Sequence, residues 1–183
     1  VSPGPPRSRC APRRRPERVG SARGVRVVVA AVGRVKTPHF RAACAEYEGR
    51  LERALPGVTF EVLEVKDAAR TGGSAARWKA QEGVALLGCM PPGARLVALD
   101  ERGTPRTSRA FAEWLGRQRD TAVPAVCFLL GGPDGLDAPL RERAHEVLSF
   151  GPATLPHELA RVVLLEQLYR ATSILTGGPY HRD

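Results

Sequence analysis

Four stretches of this chain carry residue types that do chemistry. Near the C-terminus, Gly177-Gly178-Pro179 is followed by Tyr180-His181-Arg182. A ring that stacks, an imidazole that titrates near neutrality and a guanidinium that pairs with phosphate or carbonyl oxygens are what RNA recognition uses. A frayed terminus is the plain alternative. Gly131-Gly132-Pro133-Asp134-Gly135 follows an apolar run, and glycines there let backbone amides approach a ligand closely. The spacing is not GxGxxG and no Gly-Lys-Ser/Thr follows, so by itself the segment reads as a tight turn. Phe150-Gly151-Pro152-Ala153-Thr154-Leu155-Pro156 is a compact loop before a helical pattern. Its plain reading is a helix entry, with Thr154 capping and Pro156 in the first turn. Asp100, at a strand end, suits a ribose hydroxyl, although a turn carboxylate is the simpler account. On the last helix, Arg161 and Arg170 stand among apolar residues, where a solvated or snorkelling side chain is the default. Glu166 lies four residues before Arg170, the spacing of a helical ion pair.

Such groups need elements to hold them. Val25–Val32 is an apolar, β-branched run and predicts a buried strand. Thr37-Pro38 opens a helix, with Thr at the cap and Pro in first position. That helix runs to about Leu55, where Pro56-Gly57 stops it. Val58–Val65 alternates as a strand, and residues 66–74 are polar and glycine-containing, a loop. Ala75–Met90 predicts a helix that turns Trp78, Val84, Leu86 and Leu87 toward a core and ends at Pro91-Pro92-Gly93. Arg95–Leu99 is a third strand. Thr107 or Ser108 caps a helix carrying Phe111, Trp114 and Leu115 on one face. Ala125–Leu130 is a fourth strand. After the glycine segment a short helix reaches about Glu146, and Val147–Phe150 is a fifth strand. A final helix spans about His157 to Thr176.

Strands apolar on both faces and separated by helices predict an α/β fold whose parallel sheet is covered on both sides. Ligands bind at the carboxyl ends of such strands. Three loops fall there: Leu99–Thr104, Gly131–Gly135 and Gly151–Pro156. The final helix is apolar over more than one face, through Val162, Val163, Leu164, Leu165, Leu168, Tyr169, Ile174 and Leu175. Burial on two sides predicts a homodimer, or else a central helix in a monomer.

Composition sets the bounds. The 183 residues are 43% hydrophobic and 26% charged, enough for one compact domain and a tail. No stretch approaches a membrane span, and no apolar core follows the basic N-terminus as a secretory signal would require. Four scattered cysteines, without CxxC pairs or zinc spacing, predict free thiols, a cytoplasmic setting and no metal. Of the net charge of +9, residues 1–24 supply +6, leaving +3 for the rest, so any RNA recognition by the body is local. Residues 1–24 are rich in Pro, Arg, Gly and Ser and are expected to be a disordered leader. Arg outnumbers Lys 25 to 3, a bias of GC-rich coding, and the chain begins at Val1. A misplaced start and a functional protein beginning near Val25 are therefore expected, with residues 25–183 as the folded domain.

Four segments together resemble one family. They are VRVVVAAVGR (Val25–Arg34), LVALDERG (Leu96–Gly103), LLGGPDGL (Leu129–Leu136) and LSFGPATLPHELARVVLLEQLYRATSILTGGPYHRD (Leu148–Asp183). The chain is similar to the ribosomal large-subunit RNA methyltransferase H family of the SPOUT superfamily over nearly all of residues 25–183. The resemblance implies a parallel-sheet SPOUT fold with a deep C-terminal trefoil knot and a homodimer. It implies S-adenosyl-L-methionine as cofactor and N3 of a pseudouridine in 23S rRNA of the assembled ribosome as target. By position, the cofactor contacts would be Leu99, Gly131, Phe150, Gly151, Pro152, Ala153, Thr154 and Leu155. The chemistry would fall to Arg170 and Arg182 for charge stabilisation and RNA contact, Tyr180 for positioning the base, and His181 for accepting or relaying the N3 proton. Asp100, Glu101 and Gly151-Pro152-Ala153 stand where members of the family vary. Two rival classes are a non-catalytic ribosome-binding factor and a nicotinamide-dependent dehydrogenase, the latter opposed by the missing GxGxxG.

Overall fold

A computed structural model describes residues 24–121 and 123–182 of the chain. The leader expected over residues 1–24 lies, apart from Gly24, outside the described residues. In order, the elements are β1 (Val25–Val32), α1 (Pro38–Leu51), β2 (Val58–Val65), α2 (Ala75–Gly88), β3 (Arg95–Pro105), α3 (Ser108–Asp120), β4 (Ala125–Leu130), α4 (Ala138–Arg143), β5 (Glu146–Ser149) and α5 (His157–Leu175). The five strands form one sheet in the order β2-β1-β4-β3-β5, and every pairing is parallel. The expected α/β parallel sheet is therefore what the chain adopts.

Side-chain alternation explains why β1 and β4 are apolar throughout. Val25, Val27, Val29 and Ala31 of β1 enter one core with Val126, Phe128 and Leu130 of β4. Val28, Ala30 and Val32 enter the other with Cys127 and Leu129. Leu51 of α1, Phe111, Trp114 and Leu115 of α3, and Leu164, Leu165 and Leu168 of α5 close the first core. Leu86 of α2 and Leu140 of α4 close the second. Each large side chain so buried contributes roughly 1.5–3 kcal/mol. Helix α5 is the middle of its layer, packed between α1 and α3. Burial pushes the thiols of Cys44 and Cys127 up to about 11, which keeps them unreactive. No described helix is long and apolar enough to cross a membrane.

Several boundaries differ from expectation. Helix α1 stops at Leu51 because residues 52–57 turn, with Gly57 at φ +77°, while Leu55 is buried from within that turn. Helix α2 ends at Gly88 and α4 at Arg143, and Glu146 already belongs to β5. Val84 is 73% exposed rather than turned inward. Thr154 does not cap α5: Pro156 holds that position, and the Thr154 hydroxyl donates to Glu101 instead. Strand β3 does not end at Leu99. Leu148 faces both Leu99 and Thr104, so Asp100–Gly103 bulges out and the chain pairs again beyond it. Gly103 makes this geometry feasible, because a Cβ there would lie 2.6 Å from the Val147 carbonyl oxygen.

Candidate functional site: a cavity at the carboxyl edge of the sheet

The carboxyl ends of β3, β4 and β5 enclose a cavity of about 690 Å³. Seven of the eight residues expected to hold a cofactor line it: Leu99, Gly131, Phe150, Gly151, Ala153, Thr154 and Leu155. Pro152, exposed on the same loop, does not. The three turns named from sequence thus come together.

Each turn is fixed by its own residues. At Gly131 an added Cβ would lie 2.4 Å from the Gly135 backbone, so only glycine fits. Gly135, at φ +76°, donates from its amide to the Gly132 carbonyl at 2.9 Å and closes that turn. At the end of β5 the Ser149 hydroxyl accepts from the Gly151 amide (3.0 Å) and reaches the Gly151 and Glu101 carbonyls (2.8 and 3.2 Å). That hydroxyl joins the β3 bulge to the loop before α5. Asp100 accepts from the Arg102 amide at 3.0 Å and lies 3.5 Å from Arg141, the engagement of a turn carboxylate. It nevertheless lines the cavity.

Behind the glycine turn stands Glu82, 3% exposed, a residue that nothing in the sequence distinguished from the other charges of α2. It accepts from the Ala68 amide at 3.1 Å, and its second oxygen has no partner among the described residues. Arg70 pairs with Asp134 at 2.7 Å and lies 5.2 Å over Trp78, so the loop of residues 66–74 braces the same turn. Lys79 and His157 also line the cavity, and neither stood out in the sequence. Burial holds the His157 imidazole below its usual range.

The start of α5 is locked to the end of β1. Hydrogen bonds from the Thr37 hydroxyl and the Lys36 and Thr37 amides bring the Glu158 carboxyl down to about 2. Arg161, expected to be solvated or snorkelling, is buried instead. It pairs with Glu64 at 2.6 Å and donates to the Gly33 carbonyl at 2.8 Å. The reason is that parallel strands end in carbonyls needing donors, and Arg161 supplies them over β1.

The C-terminal residues form a second cluster. Arg170 donates to Glu166, as the four-residue spacing predicts. Its guanidinium sits 4.7 Å over the Tyr180 ring and 3.5 Å from His181 Nδ1. The Tyr180 hydroxyl donates to Glu166 at 3.1 Å and lies 3.2 Å from the Tyr47 hydroxyl. Burial, then these hydrogen bonds, push that phenol well above its ordinary range. Arg182 is exposed. None of Arg170, Tyr180, His181 and Arg182 lines the cavity, so one chain by itself does not bring the expected catalytic and cofactor residues together. Among the described residues no group of three His, Cys, Asp or Glu side chains is placed to hold a metal.

Residues 25–181 match the family model described as a predicted SPOUT methyltransferase. A protein of Solidesulfovibrio magneticus is 48% identical over 153 residues, which cover 82% of this chain and 95% of that protein. Proteins of Nitrobacter hamburgensis and Rhodopseudomonas palustris BisB5 are 45% and 43% identical, each over 86% of this chain and 99% of their own length. All three carry the name ribosomal RNA large subunit methyltransferase H.

Proposed function

The chain belongs to the SPOUT methyltransferases, within the ribosomal large-subunit RNA methyltransferase H group, and from that premise we propose that it methylates N3 of a pseudouridine in 23S rRNA of the assembled ribosome, in the cytoplasm, using S-adenosyl-L-methionine. The observation that carries the proposal is the closing of three glycine-bearing turns around one cavity. A cavity of this size suits a cofactor-sized ligand. Its walls combine apolar side chains, Leu99, Phe150 and Leu155, with glycine backbone at Gly131 and Gly151. That is the chemistry a nucleoside and its polar tail need.

The cofactor would supply an activated methyl group on a sulfonium. The protein's part is placement and electrostatics. Fixing the target nitrogen in line with the methyl group is worth up to about 7–11 kcal/mol in well-oriented reactions. N3 of a pseudouridine carries a proton and lies between two carbonyls, so charge spreads onto their oxygens as the proton leaves. A guanidinium such as Arg170, oriented by Glu166, or Arg182, exposed and able to swing, would stabilise that charge. His181 would take the proton and Tyr180, its hydroxyl kept protonated, would position the base.

The tail cluster and the cavity would meet across a homodimer. The half-buried apolar side chains Phe40, Tyr47, Val162, Tyr169 and Ile174, on α1 and α5, favour that pairing.

The test is incubation of ribosomes lacking the modification with the protein and methyl-labelled S-adenosylmethionine, followed by mass spectrometry of the 23S rRNA. Label on a pseudouridine is expected. RNA binding without transfer, or calorimetric affinity for NAD rather than S-adenosylhomocysteine, would overturn the assignment.

A further inference from the structure

A second groove, of about 500 Å³, lies where α3 meets the β3–β5 side of the sheet. It shares no lining residue with the cofactor cavity. Its centre is Glu146. Arg95 donates to one carboxylate oxygen at 2.8 and 2.9 Å, the Trp114 indole donates to the same oxygen at 2.9 Å, and Arg106 donates to the other. Burial works to raise this carboxyl, but the hydrogen bonds from Arg106, Trp114 and Arg95 outweigh it and keep it ionised.

The groove holds more positive charge than its carboxylate neutralises. Three guanidinium groups, Arg95, Arg106 and Arg117, face one anion. The Arg106 guanidinium lies 5.0 Å from the Trp114 ring centre, and its second terminal nitrogen has no acceptor among the described residues. Arg117 is exposed and its side chain has no ion pair or hydrogen bond among the described residues. A fold needing only to tie β3, β5 and α3 together is served by Glu146 with Arg95 and Trp114. The surplus at the surface is the exposed Arg117 guanidinium, while Arg106, bonded to Glu146 and backed by the Trp114 ring, adds its charge from beneath. The parallel N–H donors of one such exposed guanidinium match the paired oxygens of a phosphodiester.

We propose that this groove binds a backbone phosphate of the RNA substrate, anchoring the protein at a point separate from the cofactor cavity. The proposal rests on the RNA-methyltransferase assignment above. Phosphate contacts of this kind fix register and orientation without reading sequence.

The experiment measures affinity for ribosomal particles as a function of potassium chloride concentration, for the full-length protein and for Arg117→Ala and Arg117→Glu. Losing one phosphate contact should reduce the slope of log affinity against log salt by about 0.7–0.9. Arg117→Ala should weaken binding several-fold at low salt, and Arg117→Glu should weaken it more. S-adenosylhomocysteine affinity should stay unchanged in both, which shows that the fold and the cofactor cavity are intact. An unaltered slope in both variants overturns the proposal, as does weaker binding without a change of slope, since that indicates a contact with protein. If the unsubstituted protein transfers methyl groups to 23S rRNA while the slopes coincide, only the groove is refuted. If it transfers none, the functional assignment and the groove fall together.

Discussion

At Gly131 the missing side chain is a structural requirement, because the turn passes too close to its own return strand for even a methyl group. Gly131→Ala is expected to push the Gly131–Gly135 turn into the cavity and to reduce S-adenosylhomocysteine affinity at least tenfold, about 1.4 kcal/mol, by calorimetry. Wild-type affinity in a folded Gly131→Ala protein would remove this turn from the site. Glu158 is a second residue with a sharp consequence. Its carboxyl titrates near 2 in the folded chain against a usual 4.5, so it stabilises the fold while ionised in both states. Protonation takes hold first in the unfolded chain, so this contribution is full above about pH 5 and disappears as pH falls toward 2. Glu158→Gln should cost roughly 1–2 kcal/mol at pH 7 and flatten the pH dependence of stability between pH 5 and 2. Urea unfolding at several pH values measures both. Unchanged acid sensitivity in the variant would show that other carboxylates carry that dependence.

At the scale of the element, the sequence is most legible where periodicity and burial agree. The bounds of β1, β2 and β4 are read correctly because all are continuous or alternating apolar runs with turn residues at both ends. Helix α3 is equally plain, with Phe111, Trp114 and Leu115 buried and Thr107 accepting from the Ala110 amide. Legibility fails where a long-range contact overrides local pattern. The β3 bulge depends on Gly103 meeting Val147, and the burial of Arg161 depends on Glu64 and the end of β1, partners no window of sequence contains. The three turns around the cavity are visible as strand ends, but Glu82 behind them is not, because a single acid beside Arg77 and Lys79 on α2 carries no signal. Helix α2 tests the distinction. Val84→Lys should change stability by less than about 0.5 kcal/mol, as an exposed substitution does. Leu86→Ala, on the buried face, should cost about 2–5 kcal/mol. Thermal unfolding of both variants decides whether the helix faces the way described. Equal losses would mean it is rotated.

For the whole molecule, the separation of the cavity from the Arg170–Tyr180–His181 cluster has a direct test. If the cavity of one copy works with the tail of another, two dead proteins should rescue each other. Gly131→Asp damages the cavity and leaves the tail intact; Arg170→Ala does the reverse. Mixed after unfolding and refolding together, half of a random population pairs one of each, and every such pair keeps one complete site. About a quarter of wild-type methylation should return, the arithmetic of a two-fold assembly. No recovery, with mixed dimers verified by mass spectrometry, would place cavity and tail of the same chain together.

The strand order carries a consequence for synthesis. Strand β1 is made first, yet one of its two neighbours is β4, and the register joins Arg26 to Ala125. With translation at about 5–20 residues per second, the nascent chain waits on the order of 5–20 s between the two. During that interval β2 can protect only one flank of β1, and this strand, apolar but for Arg26, offers its other flank to any passing hydrophobic segment. Slowing elongation between codons 65 and 125 should therefore raise the insoluble fraction in cells, and a chaperone that shields extended apolar chain should lower it again.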